Sequence, residues 1–382
     1  MQIPEHYEFF NQAKIISGAK ALENIPSEFE SLNAGKPLVV TGKKIDRSAI
    51  KKFVKAFYDS KMTLGGIYDE VRDYAGITLA RDAAHLAKER GCDCIIALGN
   101  GPIVDVAKAA NILLSNKSEN LFQYIDGNTV ISRPLKPMIY VPVGSPSGME
   151  PTNTVTVDHR RLESDFLYPD IIIIDPRMAR GRCRQCAARS AVVALAQGVV
   201  GTVYQSNNPM IDAYVYASLQ FIADNMATAI KKPSHKNAAM AMINASVFAA
   251  IAYSNTVPGV VQLLADEMSK STDIEEGAFI RILLPHALAY LMHKKFEVPD
   301  RLYLALAGED AYSAAPAKER SVRGVNMVLQ LLALTGDILP ASLKALKIPR
   351  HKLPEYAGIA SEKSGKRFTK ADCMAILNNA WE

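Results

Sequence analysis

The chain has 382 residues, 49% of them hydrophobic and 22% charged, with a net charge of +5 at neutral pH. This length exceeds what one hydrophobic core usually supports, so two domains are expected, and the composition is that of a soluble globular protein. The charge is too small to imply nucleic acid, no apolar run approaches a membrane span, and Met1-Gln-Ile-Pro-Glu-His6 has no signal-peptide core. Five cysteines, an odd number, fit the reducing cytoplasm.

In chain order, Pro37-Leu-Val-Val-Thr41 reads as a strand, and Gly42-Lys43-Lys44 follows it. A helical pattern over Ile77–Arg90 leads to a second strand, Cys94-Ile-Ile-Ala-Leu98, and then to helical spacing over Ile103–Leu114. Met138-Ile-Tyr-Val141 is another strand. Ile171-Ile-Ile-Ile174 is apolar throughout, as in a strand buried on both faces. Strand and helix alternating in this way predict a doubly wound, mainly parallel sheet with helices on both faces. After Asp175-Pro176 the pattern changes. Ala187–Tyr204, Ile211–Ile230, His235–Tyr253 and Ser321–Thr335 repeat apolar residues at three- and four-residue spacing, and β-runs cease. The sequence therefore divides into an α/β domain over residues 1–179 and an all-helical domain over residues 180–382.

Two features between these elements carry less information. The Arg-dense stretch Arg177-Met-Ala-Arg-Gly-Arg-Cys-Arg-Gln-Cys-Ala-Ala-Arg189 has no interleaved aromatics, so it reads as a solvated, phosphate-facing or subunit-facing loop. Cys92-Asp-Cys94 and Cys183-Arg-Gln-Cys186 lack zinc-ribbon spacing to a second knuckle, and both are read as coincidental pairings.

Ile95-Ile-Ala-Leu-Gly99-Asn100-Gly101-Pro102-Ile-Val-Asp105-Val-Ala-Lys108 is a strand, a glycine turn and a helix start. Such a turn admits a pyrophosphate to backbone N–H groups at a helix N-terminus, and a plain strand-to-helix turn has the same pattern. The stretch resembles the Gly-Gly-Gly-Ser-x-x-Asp-x-Ala-Lys motif of the iron-containing (group III) alcohol dehydrogenase family, with Asn100 for the second Gly and Pro102 for the Ser. Pro142-Val-Gly-Ser145-Pro-Ser147-Gly148-Met-Glu150-Pro-Thr152 is similar to that family's Pro-Thr-Thr-Ala-Gly-Thr-Gly-Ser-Glu-Val-Thr loop. Ala13–Leu22, Asn208–Ala213, Ala252–Asn255, Ile282–His286 and Phe368–Leu377 match further segments in order, so the resemblance spans nearly the whole chain. It implies a dehydroquinate synthase-like architecture: a nucleotide-binding domain, then a helical domain. It also implies a homodimer, a small-molecule alcohol or carbonyl substrate, and NADP or NAD bound by Gly42, Lys43, Gly99, Asn100, Gly101, Pro102, Asp105, Ser145 and Ser147.

The same resemblance implies a metal site in the helical domain, formed in the family by one Asp and three His. The matching positions here are Val193, Gln197, Gln262 and Glu276, with Asp266 where a proton-transferring His often stands. Val offers no lone pair and amides bind Fe²⁺ or Zn²⁺ far more weakly than imidazole, so iron or zinc is not expected. Two readings follow. In one, hydride transfer persists, with Glu276 or Asp266 as acid/base and Gln197 and Gln262 as hydrogen-bond donors to the carbonyl oxygen. Desolvation would then raise the pKa of Glu276. His286 is a further titratable candidate, also accounted for by packing. In the other reading the chain is a degenerate homologue serving nucleotide binding or assembly. Lys43 and Lys44, where an NAD-preferring member carries Asp, suit a 2′-phosphate, or simply begin the next loop.

Overall fold

The structure, a computed structural model, describes residues 4–58, 62–127, 129–204, 208–272, 274–294 and 298–382. Its strands are β1 (Lys14–Ser17), β2 (Pro37–Gly42), β3 (Gly66–Val71), β4 (Cys94–Leu98), β5 (Met138–Val141), β6 (Thr154–Val157), β7 (Arg160–Glu163) and β8 (Ile171–Ile174). Six of them form one parallel sheet in the order β1-β8-β5-β4-β2-β3. β2, β4, β5 and β8 are buried along their whole length, which is why their sequences are near-continuous apolar runs.

The order of the strands positions the candidate site. From β2 the chain moves outward to β3, and from β4 it moves the opposite way to β5. The carboxyl ends of β2 and β4 therefore flank a topological switch point, where open parallel sheets bind ligands. The Thr41 hydroxyl donates to the Leu98 carbonyl at 2.8 Å and ties those two ends together.

β3, β6 and β7 are not apparent from sequence. β3 is an edge strand with only Tyr68 and Val71 buried, so its sequence Gly-Ile-Tyr-Asp-Glu-Val lacks a clean period. β6 and β7 form an antiparallel hairpin closed by Asp158 and His159, both at positive φ (47° and 62°). Asn-Gly is the usual signal for such a turn, and Asp-His hides it. The turn has a second use: Asp158 accepts the Ile77 N–H at 3.2 Å, at the start of the Ile77–Glu89 helix, whose N-cap is Gly76.

Two compact units emerge. One comprises Asn11–Arg182 with Ser234–Val247; the other comprises Met1–Phe10, Cys183–Pro233 and Phe248–Glu382. In the helical unit, the Arg184–Val203 helix packs on both the Pro209–Lys231 and Glu276–His293 helices, and Val260–Lys270 packs on Glu276–His293. Contrary to the sequence expectation, Arg184–Val203 and Lys236–Ser254 are long and apolar enough to cross a membrane by length and composition. Of their most apolar windows 83% and 67% are buried inside the fold, as in core helices.

The Arg-dense stretch is laced with ion pairs. Arg182 meets Asp46 at 3.2 Å, Arg184 meets Asp337 at 3.7 Å, and Arg189 meets Glu275 at 2.9 Å. Arg177 bridges Asp175 and Glu23.

Candidate active site

The glycine turn joins β4 to the Pro102–Asn116 helix. Gly101 is the N-cap residue at φ 51°, ψ −121°, a backbone state in which a side chain is strained. A Cβ there would meet nothing closer than Ser147 Cβ at 4.0 Å, so the face of Gly101 is open. Gly99 differs. At φ 148°, its added Cβ would lie 2.4 Å from Ile103 Cδ1, so this glycine is required by the packing of its own turn.

The Asn100 side chain is committed to the fold. Its Nδ2 donates to the Val143 carbonyl at 2.6 Å and its Oδ1 accepts the Tyr140 hydroxyl at 2.9 Å, stitching the turn to the end of β5. Asp105 accepts the Thr156 N–H at 3.0 Å, and fully buried Lys108 donates to the Thr152 and Thr154 carbonyls at 2.7 and 2.9 Å. These two anchor the β6–β7 hairpin. Burial raises the Asp105 pKa and lowers that of Lys108, and each charge partly offsets the effect on the other.

Glu150 was not among the expected site residues, yet it organises the turn. It is 2% exposed, and its carboxylate accepts N–H groups from Gly101 (2.9 Å), Ser147 (2.6 Å), Gly148 (2.8 Å) and Met149 (3.1 Å). The glycine turn and the Ser145–Ser147 loop are thereby held side by side, with Ser147 exposed and Ser145 half-buried. The only hint in sequence is that Glu150 aligns with the Glu of the family's loop.

At the end of β2, Gly42 leads into Lys43, whose ammonium meets Glu70 at 2.5 Å, while Lys44 meets Asp73 at 2.6 Å. Both cations expected to face a 2′-phosphate are thus paired with carboxylates at and beyond the end of β3.

In the helical unit, Val193 and Gln197 lie one turn apart on the Arg184–Val203 helix, 6% and 1% exposed. The first turn of Glu276–His293 packs there: a Cβ on Gly277 would stand 3.2 Å from Val193 Cγ2. Further along the same face, a Cβ on Gly259 would stand 2.9 Å from Val200 Cγ2, Tyr204 Cε2 and Gln262 Oε1 alike. Gly277 and Gly259 therefore pack against the two ends of the stripe that carries Gln197. Gln262 is 4% exposed, and among the described residues neither its Oε1 nor its Nε2 has a hydrogen-bond partner. It borders a small apolar cavity lined by Val199, Val203, Tyr204, Leu284 and Leu288.

Asp266 is bound up in an ion-pair cluster, 2.5 Å from Lys270 and 3.7 Å from Lys363, with Glu267 also touching both lysines. Burial opposes the charge on Lys270, but its hydrogen bond to Asp266 prevails and its pKa is raised. The Asp266 carboxylate is thus already engaged by two ammonium groups. His286 is half-buried, and burial, with Arg281 nearby, lowers its pKa.

Two family descriptions match the chain: "Iron-containing alcohol dehydrogenase" over residues 12–176 and "Fe-containing alcohol dehydrogenase family, C-terminal" over residues 187–381. The chain belongs to the iron-containing alcohol dehydrogenase family. It is 24% identical to 1,3-propanediol dehydrogenase of Citrobacter freundii over 92% of this chain and 91% of that protein. Sulfoacetaldehyde reductase of Bilophila wadsworthia is 25% identical over 72% of this chain and 73% of its own. Alcohol dehydrogenase from Oenococcus oeni superposes with a TM-score of 0.86 at 21% identity, covering 98% of this chain and all of that one. The family and these relatives are oxidoreductases, and family members use NAD(P) and typically iron.

The four positions that the resemblance assigns to the metal do not carry the family's one Asp and three His. Val193 has no donor atom, Gln197 and Gln262 offer neutral amides, and Glu276 is the one anion. Among the described residues no group of three or more His, Cys, Asp or Glu is placed to hold a metal ion.

Proposed function

We propose that this iron-containing alcohol dehydrogenase family member interconverts a small alcohol and its carbonyl by hydride transfer with NADP or NAD, without the family's iron or zinc. The observation that carries the reading is the open Gly101 face, backed by Glu150, at the carboxyl end of β4 beside the switch point. Residues 1–179 serve as the nucleotide-binding domain and 180–382 as the helical domain, in a cytoplasmic homodimer. The nicotinamide, when bound, supplies the hydride chemistry. The rest falls to this chain's side chains. Gln262 brings an amide held in an apolar setting with its donors and acceptor unused, suited to orienting a carbonyl oxygen. Glu276, half-buried in the first turn of an 18-residue helix, is the proton-carrying group; the pairing of Asp266 with lysines disfavours it for that role. The names of these two relatives point to alcohols and aldehydes as the substrate class.

The ion pairs of Lys43 and Lys44 make the local charge near neutral, so they give no preference for NADP over NAD. The second reading, a binding or assembly protein without turnover, draws support from the carboxylate of Glu150, which already takes the Gly101 N–H that a phosphate would use. Calorimetric titration of purified protein with NADPH and NADH separates the two. Dissociation constants at or below about 1 mM for either, followed by aldehyde-dependent oxidation of the bound coenzyme, are expected. Binding without oxidation favours the second reading, and no binding of either nucleotide rejects the proposal.

A further inference from the structure

The spacing of Cys183-Arg-Gln-Cys186 is not coincidental, contrary to the expectation from sequence: the structure joins the two sulfurs in a disulfide. The pair opens the 20-residue Arg184–Val203 helix with Cys183 as its N-cap, and the Cys183 Sγ accepts the Cys186 backbone N–H at 3.0 Å. Cys183 is exposed and Cys186 half-buried. The remaining cysteines, Cys92, Cys94 and Cys373, are buried free thiols, and desolvation raises the pKa of each. Reactive sulfur is therefore confined to this one helix end. Of the charged groups on neighbouring positions, Arg182, Arg184 and Arg189 pair with Asp46, Asp337 and Glu275, and Arg180 is exposed. A disulfide that closes so short a loop constrains the unfolded chain little, so a purely stapling role leaves its placement unexplained.

We propose that Cys183–Cys186 is a thiol–disulfide exchange site whose partner is a small thiol or a protein dithiol. A donor thiolate attacks the exposed Cys183 Sγ, a mixed disulfide forms, and the Cys183–Cys186 bond breaks with its electron pair on the Cys186 sulfur, which takes a proton from solvent. A second donor thiolate attacks the donor sulfur of the mixed disulfide, and Cys183 departs as thiolate and is then protonated. Two donor thiols become one disulfide, and two electrons and two protons pass to the cysteine pair. The helix N-terminus and the Cys186 N–H stabilise the departing Cys183 thiolate. With both sulfurs on one helical turn, the reverse reaction recloses the bond without unfolding. This site is separate from the residues assigned to hydride transfer and does not depend on that assignment.

The test uses the full-length protein with glutathione as probe, read by intact-mass and peptide mass spectrometry. Wild-type protein should interconvert reversibly between disulfide and dithiol as the ratio of reduced to oxidised glutathione is changed. Glutathione disulfide should modify Cys183 in a Cys186→Ser variant about tenfold faster than it modifies Cys186 in a Cys183→Ser variant, because access sets the rate. Cys92, Cys94 and Cys373 should stay unmodified in both. Equal rates in the two variants, or a wild-type pair that stays locked in one redox state across the whole range, would overturn the proposal.

Discussion

Among single residues, Gln262 carries the largest buried polar cost beside the proposed chemistry. A buried amide without partners costs about 1–3 kcal/mol relative to an apolar group of similar shape, so its persistence calls for a use outside stability. Gln262→Leu should raise the thermal unfolding midpoint while lowering kcat/KM for the carbonyl substrate. A melting scan beside steady-state kinetics reads both, and a variant that loses stability and keeps activity would contradict the assigned role. Glu276→Gln should leave coenzyme affinity unchanged and depress kcat by about 10²–10⁴-fold, the usual worth of a positioned acid or base. Wild-type kcat in that variant removes Glu276 from the mechanism. Gly101→Val places a branched side chain on a φ 51°, ψ −121° backbone, with strain of about 1–3 kcal/mol. It should weaken nucleotide binding measured by titration, with near-unchanged circular dichroism. Unchanged affinity would mean the turn does not receive the pyrophosphate.

Among the elements, the junction after β8 shows how much burial a single charge network supports. The Asp175 side chain is fully buried, accepts N–H groups from Leu22 and Arg177, and receives the Arg177 guanidinium at 2.6–2.8 Å. Burial pushes its carboxyl up, the Arg177 hydrogen bonds push it down, and the net pKa is lowered below the ordinary 3.8. A folded-state pKa below the unfolded one contributes stability that is fully present above about pH 4 and fades as pH falls through the folded value. Arg177→Met leaves that carboxylate buried without its cation, at a cost of about 3–5 kcal/mol near neutral pH, and this deficit should narrow as pH falls and the carboxyl takes a proton. Denaturant unfolding of both proteins between neutral and acid pH checks this, and a deficit that stays constant or widens on acidification would refute it. The same scale shows what is legible in sequence. β2, β4, β5 and β8 announce themselves because strands covered on both faces must be apolar at nearly every position. β3 and the β6–β7 hairpin do not, since one lies at the sheet edge and the other turns on Asp158-His159. The capture of four N–H groups by Glu150 and the pairing of Lys43 and Lys44 with Glu70 and Asp73 are contacts between distant segments. No local pattern encodes them.

For the whole molecule, motifs in order along the chain identified the iron-containing alcohol dehydrogenase family, and matches over residues 12–176 and 187–381 establish it. Family membership fixes neither the metal nor the substrate, because chemistry resides in side chains and here the four positions hold Val193, Gln197, Gln262 and Glu276. The central claim is turnover that needs no iron or zinc. Its most direct test is NADPH- or NADH-dependent reduction of short aldehydes by protein dialysed against chelator, with metal content measured on the same sample. The account predicts turnover at well below one metal ion per chain, unchanged when Fe²⁺ or Zn²⁺ is added back. Turnover that is absent from the chelated protein and restored in proportion to a stoichiometrically bound metal ion would contradict it.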